Sequence, residues 1–250
     1  SITSSQKNEI IITSTIFSLI ASVTLLSFFS IFQYLGLGSS LTGLDLLNNK
    51  ALNPAGGPIE YLSFSLILLP GMVYLGLKNK KTSVKVVIFA AAAITITAII
   101  TQLNLIFSVP DKFVWPFLPF SAGWSIAIDI FKNIRTALLG TGPDTFLSAF
   151  TALRPPYLNA TPLWNIRFNS SSNEFFTILT TTGLLGGFFW LSALIKPLTT
   201  AIKTKVVNGG NPFHFFSFLT LLLTVLSIFI IPASVTLLTL IMVALLLTNP

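Results

Sequence analysis

Long apolar runs, each close to the length that crosses a bilayer, constrain this chain more than any other feature. A membrane helix needs roughly 20 predominantly apolar residues. Six stretches qualify, over residues 10–37, 59–77, 84–107, 173–195, 213–231 and 233–247. In lipid every backbone N–H and C=O must find its partner inside the protein, so only helices and closed barrels cross. The expected fold class is therefore an all-α integral membrane protein with about six transmembrane helices. Pro70-Gly71 predicts a kink in the second run. Only Pro232-Ala233-Ser234 separates the last two runs, which predicts a tight helical hairpin or a kinked re-entrant pair.

Charge gives the expected orientation. Only 8% of residues are charged and 53% are apolar, and a mean hydropathy of +0.86 lies outside the soluble range. The net charge of +7 would favour nucleic acid in a soluble chain. Here the excess of Lys on one set of loops accounts for it, and no nucleic-acid partner is expected. Lys78, Lys80, Lys81 and Lys85 follow the second run; Lys196, Lys203 and Lys205 follow the fourth; Lys7 precedes the first. With alternating helices these share one face, and by the positive-inside rule that face is cytoplasmic. The opposite face collects Lys50, Lys112, Lys132, Arg135, Arg154 and Arg167 with Asp45, Glu60, Asp111, Asp129, Asp144 and Glu174. All three arginines of the chain fall there, where solvated loops do not need them and an anionic ligand does. The chain has no cysteine and a single histidine, His214. Thiolate nucleophiles and Cys or His metal clusters are thereby excluded, and no metal or cofactor is expected. Nothing at the start reads as a cleavable signal.

The layout expected is three membrane helices over residues 1–107, an extracytoplasmic loop with short helices over 108–172, and three more membrane helices over 173–250. The earlier outer segment, 38–60, is rich in Gly, Asn and Pro and reads as an irregular loop. Inside the long loop, residues 121–131 have helical spacing, with Trp124, Ile128 and Phe131 on one face. This predicts an interfacial helix, with Trp115 and Trp124 as aromatic anchors. Gly140-Thr141-Gly142-Pro143-Asp144 predicts a turn and then a short helix, with Pro143 at its first position and Asp144 at its positive end. Read functionally, backbone N–H groups here, Gly142 among them, meet a phosphate. Read plainly, this is a turn and a cap whose helix end Asp144 already occupies.

Arg154 stands just before Pro155-Pro156, Arg167 just before the fourth run, and Arg135 just before the glycine turn. Guanidinium forks recognise phosphate in a bidentate fashion and stay charged. Lipid headgroups or neighbouring acids account for any one of them; three near one loop point to a phosphate ligand. Ser170-Ser171-Ser172-Asn173-Glu174 opens the fourth run as a serine cap with an acid in the first turn. Asn173, Thr177, Thr180 and Thr181 continue as one polar face, fit either for helix packing or for a site. Glu174, a carboxylate at the membrane rim, is the sharper functional candidate. Gly183, Gly186 and Gly187 permit a bend or a close helix contact.

Taken together, G-T-G-P-D-T-F, the arginine-bearing loop and S-S-N-E-F-F-T-I-L-T-T-T-G-L-L-G resemble the O-antigen ligase and O-antigen polymerase family of bacterial membrane proteins. That family shows Gly-x-Gly-Pro-x-x-Phe, then Ala-His-Asn-x-Phe/Tyr-Leu, then Thr-Gly-hydrophobic-x-Gly, and the likeness covers about residues 124–190. The resemblance implies an all-helical bundle of carrier-lipid glycosyltransferase type in the bacterial plasma (inner) membrane, with its active loop on the extracytoplasmic side. It implies transfer of a glycan from an undecaprenyl-diphosphate carrier to an acceptor glycan or lipid, without metal or cofactor. The chain then corresponds to the C-terminal part of a longer bundle, in keeping with its start at Ser1. On this reading Arg135, Arg154, Arg167 and Gly142 hold the diphosphate. Glu174 acts as base at a pKa near the working pH, and Asn173 and Ser172 stand beside it. Ser172 replaces the family histidine, which puts the usual acceptor activation in doubt. A transporter of a lipid-linked or anionic solute and a non-catalytic relative are the alternatives.

Overall fold

The computed structural model describes residues 4–108, 117–203 and 211–248. Asp111, Lys112, Trp115 and Lys205 lie outside them. The described residues form helices and no strand: α1 Ser4–Tyr34, α2 Leu37–Thr42, α3 Pro58–Lys78, α4 Thr82–Ser108, α5 Phe120–Ile130, α6 Ile134–Leu139, α7 Phe146–Leu153, α8 Glu174–Lys203, α9 Pro212–Ser227 and α10 Val235–Thr248. Short 3-10 turns add Asp45–Asn48 and Pro156–Ala160. Four helices, α1, α3, α4 and α8, are long and apolar enough to cross a membrane, and the protein is membrane-embedded on that ground.

Two compact units divide the described residues. One holds 4–108, 197–203, 211–224 and 234–248; the other holds 117–196 and 225–233. In the first, α4 packs against both α1 and α3, and α10 packs against α3. α3 is the central helix, with 61% of its membrane window buried against 28% for α1 and 33% for α4. Ile16 and Val23 of α1, Leu68, Met72 and Leu75 of α3, and Ile88 and Ala98 of α4 are fully enclosed. Leu25, Phe28, Val86, Val87, Ile100 and Phe107 face outward, as lipid-facing positions do. Lipid removes the hydrophobic drive between such helices, so packing and buried hydroxyls hold them. Ser27 Oγ and Tyr61 OH lie 2.8 Å apart, and Ser27 Oγ donates to Thr95 Oγ1 at 3.3 Å, joining α1, α3 and α4.

Helix ends depart from the apolar runs for local reasons. α1 stops at Tyr34 rather than Leu37, because Gly36 takes a left-handed φ of 72°. The loop that follows is partly helical and is pinned from within: Gln33 Nε2 donates to Leu47 O and Asn49 O, and Asn53 Nδ2 donates to Ser30 Oγ. α3 runs through Pro70 as one helix. α9 ends at Ser227, short of residue 231, because Pro232 biases the residue before it away from helix and the carbonyls beyond Ser227 accept bonds from elsewhere. At 16 and 14 residues, α9 and α10 are shorter than a typical span.

The second unit is built from short pieces. Leu118, Ala122, Ile126, Phe146, Phe150, Leu158 and Phe168 make one core, joining α5, α7 and the chain after them. Ala127, Phe176 and Leu179 make another, joining α5 to the start of α8. α5 forms where spacing predicted a helix, within a residue at each end.

Candidate functional site

The first turn of α8 gathers three of the residues singled out by sequence. Asn173, not a serine, is the cap: its Oδ1 accepts from Phe176 N at 2.9 Å, and its carbonyl accepts from Thr177 N. Its Nδ2 donates to Phe229 O at 3.0 Å. Glu174 N donates to Ile228 O and Ile231 O, and Glu174 Oε2 accepts from Ala233 N at 3.0 Å. Asn173 and Glu174 thus hold the frayed end of α9 and satisfy carbonyls that the helix leaves open. Both ends of the Asn173 amide thus make a structural bond. Glu174 is half-buried, and its Oε1 has no protein partner among the described residues, so one carboxylate oxygen is free to accept a proton.

Ser171 and Ser172 are buried, and neither hydroxyl has a hydrogen-bond partner among the described residues. Both press on the backbone of α5, where a Cβ at Gly123 would lie 2.5 Å from Ser171 Oγ and from Ser172 Oγ. This contact is long-range, and its one sequence signal is a glycine inside an apolar helix.

The glycine turn does something other than the sequence implied. Pro143 and Asp144 precede the helix: α7 begins at Phe146 with Thr145 as its cap, and Asp144 has a left-handed φ of 58°. Thr141 N donates to Thr180 O at 3.0 Å and Gly142 N to Thr181 O at 2.8 Å. The Gly142 N–H, expected to meet phosphate, is spent on a carbonyl of α8. That carbonyl is open because α8 breaks at Gly183, whose φ of 67° and ψ of −166° are not helical. Backbone passes against backbone at the break: a Cβ on Gly140 would overlap the Thr181 carbonyl, and one on Gly183 would sit 2.5 Å from Gly140 N and Leu138 O. Thr141 Oγ1 and Thr145 Oγ1, 2.7 Å apart, close the turn.

The arginines divide into two kinds. Arg154 folds back on its own loop: Nη2 donates to Leu163 O at 3.2 Å and Trp164 O at 2.6 Å, and its guanidinium lies 5.5 Å from the centre of the Phe150 ring. Its Nε is buried without a partner among the described residues. Arg135 and Arg167 are exposed and have no acidic partner among the described residues. Nearby, Asp129 is paired to Lys132 at 2.5 Å. A hollow of about 610 Å³ opens beside the start of α1, lined by Gln6, Glu9, Ile10, Thr13 and Ser14, and includes none of the sequence-predicted site residues.

Comparison with protein-family models, with curated proteins and with solved structures gives no match.

Proposed function

We propose that this chain belongs to a membrane glycosyltransferase of the O-antigen ligase or polymerase type, with about six spans and its long loop outside the bacterial plasma membrane. One observation carries the reading. Arg135 and Arg167 are exposed cations with no acidic partner among the described residues, on the loop leading into the α8 span, and Glu174 keeps a carboxylate oxygen with no partner among them at the start of that span. The acceptor hydroxyl oxygen attacks the anomeric carbon of the glycan, and the bond from that carbon to the undecaprenyl diphosphate breaks. The hydroxyl proton goes to Glu174 Oε1. The diphosphate leaves with the bonding pair, its charge stabilised by Arg135 and Arg167. Arg154, Asn173 and Gly142 hold the loop and the start of α8 in place, and Ser172 fills the position of the family histidine. A break inside a spanning helix also occurs in transporters, but here Thr141 and Gly142 fill the opened carbonyls.

The test is transfer of a radiolabelled glycan from a diphosphate-linked carrier lipid to an acceptor glycan, using the full-length protein in nanodiscs. The reading predicts transfer that Glu174→Gln abolishes. Transfer by Glu174→Gln at the parent rate would refute the role given to that carboxylate.

A further inference from the structure

α5 is apolar on both sides, and one side is left largely exposed by the protein. Its inner face, Ala122, Gly123, Ile126, Ala127 and Ile130, is buried in the second unit. Its outer face carries Phe120, Trp124, Ile128 and Phe131, exposed by 61%, 51%, 42% and 37%. These positions recur at four, four and three residues, one stripe on a helix. A helix lying in water would show polar side chains there.

The helix cannot cross a bilayer. Its 11 residues span roughly 16 Å, about half of a hydrocarbon core. Its place is fixed by aromatic contacts to the mouth of a helix that is long enough. Phe176, in the first turn of the α8 span, has its ring centre 5.0 Å from Phe120 and 5.6 Å from Trp124. The stripe therefore lies at the level where a spanning helix leaves the hydrocarbon, the depth favoured by Trp and other amphipathic rings. Cations follow at once: Lys132 is 74% exposed, and Arg135 is exposed without an acidic partner among the described residues. Lys132 is paired to Asp129, so the net charge that complements a layer of lipid phosphates is that of Arg135.

We infer that α5 lies flat in one membrane–water boundary, with its Phe120–Trp124–Ile128–Phe131 stripe buried in lipid and Lys132 and Arg135 at the level of the headgroups. The inference rests on membrane embedding and not on the transferase reading.

The chain has no cysteine, so single spin labels report cleanly. Ile128→Cys and Lys132→Cys, each labelled in the full chain in phosphatidylcholine–phosphatidylglycerol vesicles, are compared for collision with oxygen and with a water-soluble nickel chelate. Oxygen accessibility should exceed nickel accessibility severalfold at position 128, and the order should reverse at 132. Nickel preference at 128 overturns the inference, because the stripe is then in water. Low accessibility to both reagents at 128 also overturns it, because protein, such as a second copy of the chain, then covers the stripe. Oxygen preference at both sites overturns it as well, because the segment then runs through the bilayer.

If labelling at 128 disturbs folding, emission of Trp124 is read instead, with Trp115, Trp164 and Trp190 replaced by Phe. Lipids brominated near the headgroup end of the chain should quench it severalfold more than lipids brominated near the methyl end. The opposite order, or no quenching, overturns the inference.

Discussion

The two units meet the same demand, backbone hydrogen bonds kept away from water, by different means. In the unit of α1, α3 and α4, long helices satisfy their own backbones, and what needs pairing between helices is a few hydroxyls, as in Ser27, Tyr61 and Thr95. In the unit of α5 to α7 and the start of α8, helices are short and one is broken. Open carbonyls are filled by tertiary bonds from Thr141, Gly142, Asn173 and Glu174. Polar residues in the first unit are a minor adhesive, whereas in the second they carry the fold. A polar residue near the loop is therefore a functional candidate only after its structural bonds are subtracted. Arg135, Arg167 and one oxygen of Glu174 survive that subtraction.

The largest expected effect contrasts two glycines of nearly equal φ. Gly36 and Gly140 have φ of 72° and 71°, but nothing lies within 4 Å of a Cβ at Gly36, while one at Gly140 meets the Thr181 backbone. Gly36→Ala should cost only the left-handed conformation, about 1–2 kcal/mol. Gly140, with a ψ of −167°, sits in a region essentially reserved for glycine, so Gly140→Ala adds that strain to overpacking and should cost about 2–6 kcal/mol in all. Thermal unfolding in detergent, followed by circular dichroism, compares them, and equal losses would break the contrast between the units.

Next is the start of α8. Asn173→Ala removes a cap and a bond to Phe229 O and should cost about 2 kcal/mol. Glu174→Gln keeps an oxygen for Ala233 N–H and should change stability by less than about 0.5 kcal/mol. A large loss in Glu174→Gln would mean that the charge itself holds the fold. A comparably small effect belongs to the long helices. A double-mutant cycle of Ser27→Ala and Tyr61→Phe should give a coupling of about 0.6 kcal/mol, typical of membrane hydroxyl bonds. A coupling several times larger would place the first unit in the same regime as the second.

Features set by near neighbours in sequence were legible: the long apolar helices, the helix expected over 121–131 and found over Phe120–Ile130, and a bend or close contact among Gly183, Gly186 and Gly187, of which Gly183 makes the break. Features set by distant partners were not. Nothing near Gly142 announces that its N–H belongs to Thr181, thirty-nine residues on by the numbering. Nothing near Arg154 announces its turn onto Leu163 and Trp164, since only the fold of the loop brings those carbonyls within reach. α9 looked longer because Ile228, Phe229, Ile230 and Ile231 extend its apolar run, while the carbonyls of Ile228, Phe229 and Ile231 serve Asn173 and Glu174 instead.

Separating anchoring arginines from ligand-binding ones gives the most direct test. Thermal stability and glycan transfer from a diphosphate-linked carrier lipid are measured side by side on the full-length protein carrying Arg154→Ala or the pair Arg135→Ala and Arg167→Ala. The account predicts that Arg154→Ala lowers stability by about 2 kcal/mol, as loss of charged hydrogen bonds does. It predicts that the double variant unfolds at the parent temperature and transfers no glycan. Undiminished transfer by a stably folded double variant would contradict it.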